Sequence, residues 1–239
     1  MFKNIAHYLP LGCRAAINMF IDEWRAERQP YHYSPTLSEL IGSFPFSRKG
    51  TYLDIGAFDG RSNSNTWHLE KRLVWGGVLI EPVPQFYRKM TQTRSKDRNI
   101  FVNCAVGSDK IQAREMIMYV ADAMSIGSFS SKDISEHLEA AKQIGIDTNQ
   151  KIIVPIVPIL EILSQINSPK IFDFCTIDIE GEAFDVILEL LNSEYIVNMF
   201  LIESDDDSEI NKLLLQFRYS LIGRDELGGN SLWCLDRAQ

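Results

Sequence analysis

From Thr51 onward, short apolar runs alternate with stretches of helical period, the pattern of a parallel α/β sheet. Thr51–Ile55 predicts a buried strand, Gly76–Ile80 a second and Asn99–Val106 a third that Gly107 ends. Residues 115–120 and 151–157 read as strands, as do Ile171–Ile177 and Asn198–Ile202. Arg218–Gly223 and Ser231–Leu235 form a closing pair joined by Gly228-Gly229-Asn230. Helices are expected over Arg61–Lys71, Pro84–Arg94, 128–142, 158–166 and Ala183–Leu191, with a Ser-, Gly- and Met-rich loop over 121–131. Ahead of the first strand, Ile17, Phe20, Ile21 and Trp24 share one face of a helix over 11–28, between Pro10 and Pro30. A short second helix is expected near residues 38–41. The chain then divides into a helical cap or extension over 1–48 and a main domain over 49–239. The cap helix suits packing on that domain, a lid, a homodimer contact or a membrane surface.

Composition narrows the class of partner. The net charge of −8 over 239 residues, with no dense Lys/Arg cluster, argues against nucleic acid. Cys13, Cys104, Cys175 and Cys234 are scattered without a C-x-x-C pair, which suits reduced thiols. No apolar run reaches the ~18 residues of a membrane span, and Met1-Phe-Lys-Asn-Ile lacks the apolar core of a signal peptide. A cytoplasmic location is the expectation.

The candidate chemistry sits at strand ends. Asp54-Ile-Gly56-Ala57-Phe-Asp-Gly60 follows the first strand and lacks a glycine of the dinucleotide fingerprint. There is no Gly-Lys-Ser/Thr phosphate loop. An acidic residue before G-x-x-x-G suits a ligand with an amino acid at one end and a ribose at the other, which is the shape of S-adenosylmethionine. Glycines let the backbone approach such a ligand, and a following helix N-terminus would offer free N–H groups. Glu81, at the end of the second strand, is placed to accept ribose hydroxyls. Asp54, Glu81, Asn103, Asp178 and Glu203 each fall at a predicted strand end, where open sheets bind ligands.

With Tyr52-Leu-Asp-Ile-Gly-Ala-Phe-Asp-Gly60 and Thr176-Ile-Asp-Ile-Glu-Gly-Glu182 in hand, the chain resembles the FkbM family of S-adenosylmethionine-dependent methyltransferases over residues 50–235. Trp75-Gly-Gly-Val-Leu-Ile-Glu-Pro-Val-Pro84, Asn103-Cys-Ala-Val-Gly107 and Asn230-Ser-Leu-Trp233 add to the match. The resemblance implies a Rossmann-like class I methyltransferase sheet: seven strands, mostly parallel, the last antiparallel, with helices on both faces. It further implies O-methylation of a sugar, glycan or small natural product. Asp54, Ile55, Gly56, Ala57 and Gly60 would hold the methionine part and Glu81 with Pro82 the ribose. Asn103, Cys104 and Ala105 would flank the adenine, and Asp178 with Glu180 would face the sulfonium and the acceptor. Phe58 departs from the small polar residue such loops often carry.

Asp178, Glu180 and Glu182 are the candidate bases for the acceptor hydroxyl, with His68 a weaker one, since crowding raises a carboxyl pKa. Asp178, Glu180 and Glu203 could instead hold Mg²⁺. An NAD-dependent oxidoreductase or epimerase and a non-catalytic interaction module are the rival readings. Residues 1–48 and 121–150 are expected to build the acceptor site.

Overall fold

The structure is a computed structural model that describes residues 49–128, 134–179, 182–203, 208–224 and 229–236. The helices expected at 11–28 and 38–41, and hence the 1–48 cap, lie outside the described residues. In chain order these form β1 (Thr51–Ile55), α1 (Trp67–Leu73), β2 (Gly76–Ile80), α2 (Pro84–Thr93), β3 (Asn99–Val102), β4 (Ala105–Gly107), β5 (Glu115–Val120), β6 (Ile126–Gly127) and α3 (Ile134–Gln143). They continue with β7 (Gln150–Pro158), α4 (Ile159–Gln165), β8 (Ile171–Phe172), β9 (Phe174–Ile177), α5 (Ala183–Leu191), β10 (Ile196–Val197), β11 (Met199–Glu203), α6 (Ser208–Gln216), β12 (Tyr219–Arg224) and β13 (Asn230–Leu235).

Seven strands form one sheet in the order β12-β13-β11-β9-β1-β2-β3. The pairs from β11 to β3 are parallel, and β13 runs antiparallel to both β11 and β12. The last strand is therefore antiparallel, as expected, and is inserted inside the edge strand β12. Alternation along the strands splits the core in two. Leu53, Ile55, Val78, Ile80, Cys175 and Ile177 pack with Ile162 of α4, Val186 of α5 and Leu214 of α6. Tyr52, Leu79, Phe174 and Leu201 point the other way, with Leu69 of α1 and Met90 of α2. Helices thus cover both faces. Among the described residues no helix is long and apolar enough to cross a membrane.

Several expected boundaries shift, each for a local reason. The helix expected from Arg61 begins only at Trp67. Asp59 captures the N–H groups of Arg61 and Ser62, and Ser64 Oγ those of Thr66 and Trp67, so short polar side chains hold the segment in turns. The run Asn99–Val106 is two strands: the Asn103 amide donates to the carbonyls of Glu81 and Pro82, where β3 leaves the main sheet. The run 171–177 breaks at Asp173, whose carboxylate accepts the Thr51 N–H.

Strands β4 to β7 build a second sheet, in the order β4-β7-β5-β6, where sequence alternation suggested one continuous sheet. Its inner face buries Ala105, Met116, Met118, Val154 and Ile156 with Val83 and Phe86 at the start of α2.

Candidate functional site

Strand register builds the rim. Ile55 pairs with Ile80 and Ile177, Ile177 with Ile202, and Ile80 with Val102. The residues one step further on are Gly56, Glu81, Asn103, Asp178 and Glu203. Four of the five polar residues expected to converge do share this row. Asp54 does not: it pairs with Leu79 and Thr176, two positions inside, and is buried.

The loop after β1 is tightly formed. Gly56 and Gly60 have φ of 87° and 76°, in the region that favours glycine. A Cβ on Gly56 would stand 2.1 Å from the Asp178 carbonyl oxygen, and the Asp178 N–H donates to the Ile55 carbonyl at 3.0 Å. The N–H groups of Gly56 and Ala57 both donate to the Ile80 carbonyl, and that of Gly60 to Ala57. Those of Arg61 and Ser62 go to Asp59, and that of Phe58 to Glu81 Oε2. The expectation of a helix N-terminus with free N–H groups at this loop is therefore corrected. Amides committed to protein acceptors make no phosphate cradle here.

Glu81 is buried at the rim, and its second oxygen accepts the Val83 N–H at 2.8 Å. Burial pushes its carboxyl up to about 7, with the nearby charges of Asp54 and Asp59 adding to the rise and the two backbone donors opposing it. Each oxygen takes one N–H and keeps acceptor capacity for a ligand. Phe58, at φ 49°, packs edge-on against Phe86 at 4.4 Å between ring centroids. The departure noted in the sequence is thus part of the wall that holds Glu81.

Asp54 is bound from below. The Thr66 hydroxyl donates to its Oδ2 at 2.5 Å. Burial raises its carboxyl, against the charge of Arg94 and the Thr66 hydrogen bond. Arg94, Glu70, Tyr52 and Asn99 complete a buried polar cluster that sequence reading missed. Arg94 Nε donates to Glu70 Oε2 at 2.7 Å, and the Asn99 amide donates to the same oxygen at 2.8 Å. Despite the upward push of burial, Arg94 and hydrogen bonds from Ser95 and Asn99 hold the Glu70 carboxyl below its ordinary value. A signal was present: Phe86, Met90 and Arg94 recur every fourth residue, so a charge extends the apolar face of α2.

The remaining candidates are more dispersed. Asp178 is exposed at the rim, one residue beyond β9, while Glu180 lies outside the described residues. Glu182 stands at the start of α5, where burial and Asp185 raise its carboxyl and Lys110 opposes them. Glu203 is exposed at the end of β11, and His68 is on the first turn of α1. The side chains of Cys104 and Ala105 are buried in the two cores, and burial raises the Cys104 thiol to about 12. Only their backbone can face a ligand. Pro82 offers its carbonyl to Asn103. Among the described residues no three His, Cys, Asp or Glu side chains gather as a metal site.

Residues 54–221 match the model of the methyltransferase FkbM domain. No curated protein matches the chain. Among solved structures, it is similar to a methyltransferase FkbM from Methylobacillus flagellatus KT, with 15% identity, a TM-score of 0.47 and coverage of 81% of this chain and 45% of that one. This chain therefore spans less than half the length of that protein. A TehB-like SAM-dependent methyltransferase from Corynebacterium glutamicum aligns with 11% identity, a TM-score of 0.42 and coverage of 93% and 99%. The N-terminal domain of human METTL16 in complex with SAH aligns with 12% identity, a TM-score of 0.46 and coverage of 85% and 68%.

Proposed function

Because the chain belongs to the methyltransferase FkbM domain family, we propose that it methylates a hydroxyl group of a sugar, glycan or small natural product, using S-adenosylmethionine. The observation that carries the cofactor reading is buried Glu81 at the rim, beside a glycine loop whose amides are committed within the protein. Such a site suits a diol and an amino-acid end better than a diphosphate. Glycine at 56 lets the loop close against the Asp178 carbonyl, where a Cβ would collide.

In this reading Glu81 accepts the ribose hydroxyls, with the backbone of Pro82 beside it. Ile55 to Gly60 surround the methionine end, with Asp54 supporting the loop from beneath. The backbone of Asn103 to Ala105 lines the adenine. The cofactor supplies an electrophilic methyl group. Asp178 takes the proton of the acceptor hydroxyl as its oxygen becomes the methyl ether, with Glu180 and Glu182 as further bases. Positioning does most of the work in such an in-line transfer. This reading routes no step through a metal, and turnover unchanged by chelation is its expected outcome. We further propose a cytoplasmic protein, with residues 1–48 as a cap or extension of the domain over 49–239.

Calorimetric titration with S-adenosylhomocysteine, with NAD as control, tests this. Binding of the first alone is expected. Binding of NAD alone would move the reading to redox chemistry, and binding of neither would leave the family without the cofactor.

A further inference from the structure

Arg94 has no part in the chemistry above, yet its guanidinium is buried and every N–H it carries has an acceptor. Nε donates to Glu70 at 2.7 Å. Nη1 donates to the Gly60 carbonyl at 3.0 Å and Ser64 Oγ at 3.1 Å, and Nη2 to Tyr52 OH and Thr66 Oγ1, both at 2.8 Å. Gly60, Ser64 and Thr66 all belong to the segment that closes G-x-x-x-G and leads into α1. From Thr66 the chain of hydrogen bonds passes to Asp54 on β1.

We propose that Arg94 is a positioning residue for the cofactor loop. It draws Gly60 and the 61–66 segment onto β1 and so fixes the shape that receives the amino-acid end of the cofactor. This rests on the reading of the loop given above.

Two features separate this role from general stability. Replacing a buried ion pair by apolar residues of similar volume is often neutral or stabilising, so packing between α2 and β1 does not call for a guanidinium. An apolar side chain, however, could not bind the Gly60 carbonyl and three hydroxyls at once; the planar fork does. Contact at Gly60 is also close, since a Cβ there would meet Met90 Cγ at 2.9 Å and Arg94 Cγ at 3.0 Å. The loop seats on the same side chain that holds its carbonyl.

The test compares two ligands on folded Arg94→Lys protein, by calorimetry: S-adenosylhomocysteine, and 5′-methylthioadenosine, which lacks the amino-acid end. Lysine keeps the charge near Glu70 but cannot span the loop acceptors. Affinity for the first ligand is expected to fall about tenfold and for the second to stay within about twofold. If Arg94→Lys does not fold, Thr66→Val carries the same comparison. Thr66→Ser, which keeps the hydroxyl, is expected to bind both ligands as the natural protein does. Equal loss for both ligands, or no loss for either, overturns the inference and leaves the cofactor reading standing. Natural protein that binds neither ligand overturns both.

Discussion

Gly56 and Asp178 touch through their backbones: the position of a Cβ on Gly56 lies 2.1 Å from the Asp178 carbonyl oxygen. Residues far apart in sequence are pressed together because β1 and β9 are neighbours in register. The contact places the glycine loop against the backbone of Asp178, whose side chain is exposed at the rim. The Asp178 N–H, donating to the Ile55 carbonyl, ties the same two segments together.

Gly56→Ala should therefore damage both fold and binding. The alanine meets a backbone oxygen and a φ of 87°, which together are expected to lower stability by about 3 kcal/mol. Denaturant unfolding gives the first effect and calorimetry the loss of S-adenosylhomocysteine binding. Unchanged stability would mean that β9 gives way at Asp178.

Glu81 predicts opposite pH trends for stability and affinity. Its folded carboxyl titrates near about 7, above its ordinary 4.5. The folded state holds the proton more tightly, so the stability this group contributes is fully present below 4.5 and is lost as pH rises through about 7. Ribose hydroxyls donate to the ionised form, so affinity for S-adenosylhomocysteine should grow over the upper part of that window. Glu81→Gln should flatten the affinity trend and weaken binding by about 1–3 kcal/mol. A wild-type affinity that is level between pH 6 and 8 (roughly the span of the titration) would remove Glu81 from the ribose role.

Asp178→Asn separates chemistry from folding. Asp178 is exposed at the rim, so its stability change should stay within about 0.5 kcal/mol. Loss of a general base should cut turnover about 100-fold or more. Normal turnover per folded molecule would transfer the role to Glu180 or Glu182.

Glu70→Gln tests the buried cluster itself. Breaking the pair with Arg94 leaves an uncompensated charge, and an unfolding free energy lower by about 3 kcal/mol is expected. The Glu70 carboxyl is held below its ordinary 4.5. Its contribution is therefore present above that value and lost as pH falls through the lowered folded pKa, so the natural protein should lose this stability in acid while the variant loses less. Parallel acid unfolding curves for the two proteins would count against the pair.

Much of the fold was legible because its signals are local. Apolar runs mark β1, β2, β9 and β11, since strands buried on both faces need little else. The left-handed turn at Gly56 and the short loop to Gly60 have a residue-level requirement, and Glu81 announces itself by following an apolar strand. The same local view failed at Arg61–Thr66, where side-chain hydrogen bonds to backbone N–H groups outcompete the helix.

The sequence by itself determined the alternating architecture, the order of the motifs and which residue types end each strand, because periodicity and backbone preference act over a few residues. Tertiary structure alone decided that Asp54 sits inside the rim, since register between parallel strands is a relation between distant segments. It also decided that β4 and β7 leave the main sheet for a second one. And it chose Arg94, Glu70 and Tyr52 as partners: a buried charge must find its acceptors wherever the fold brings them, and no spacing along the chain records that search.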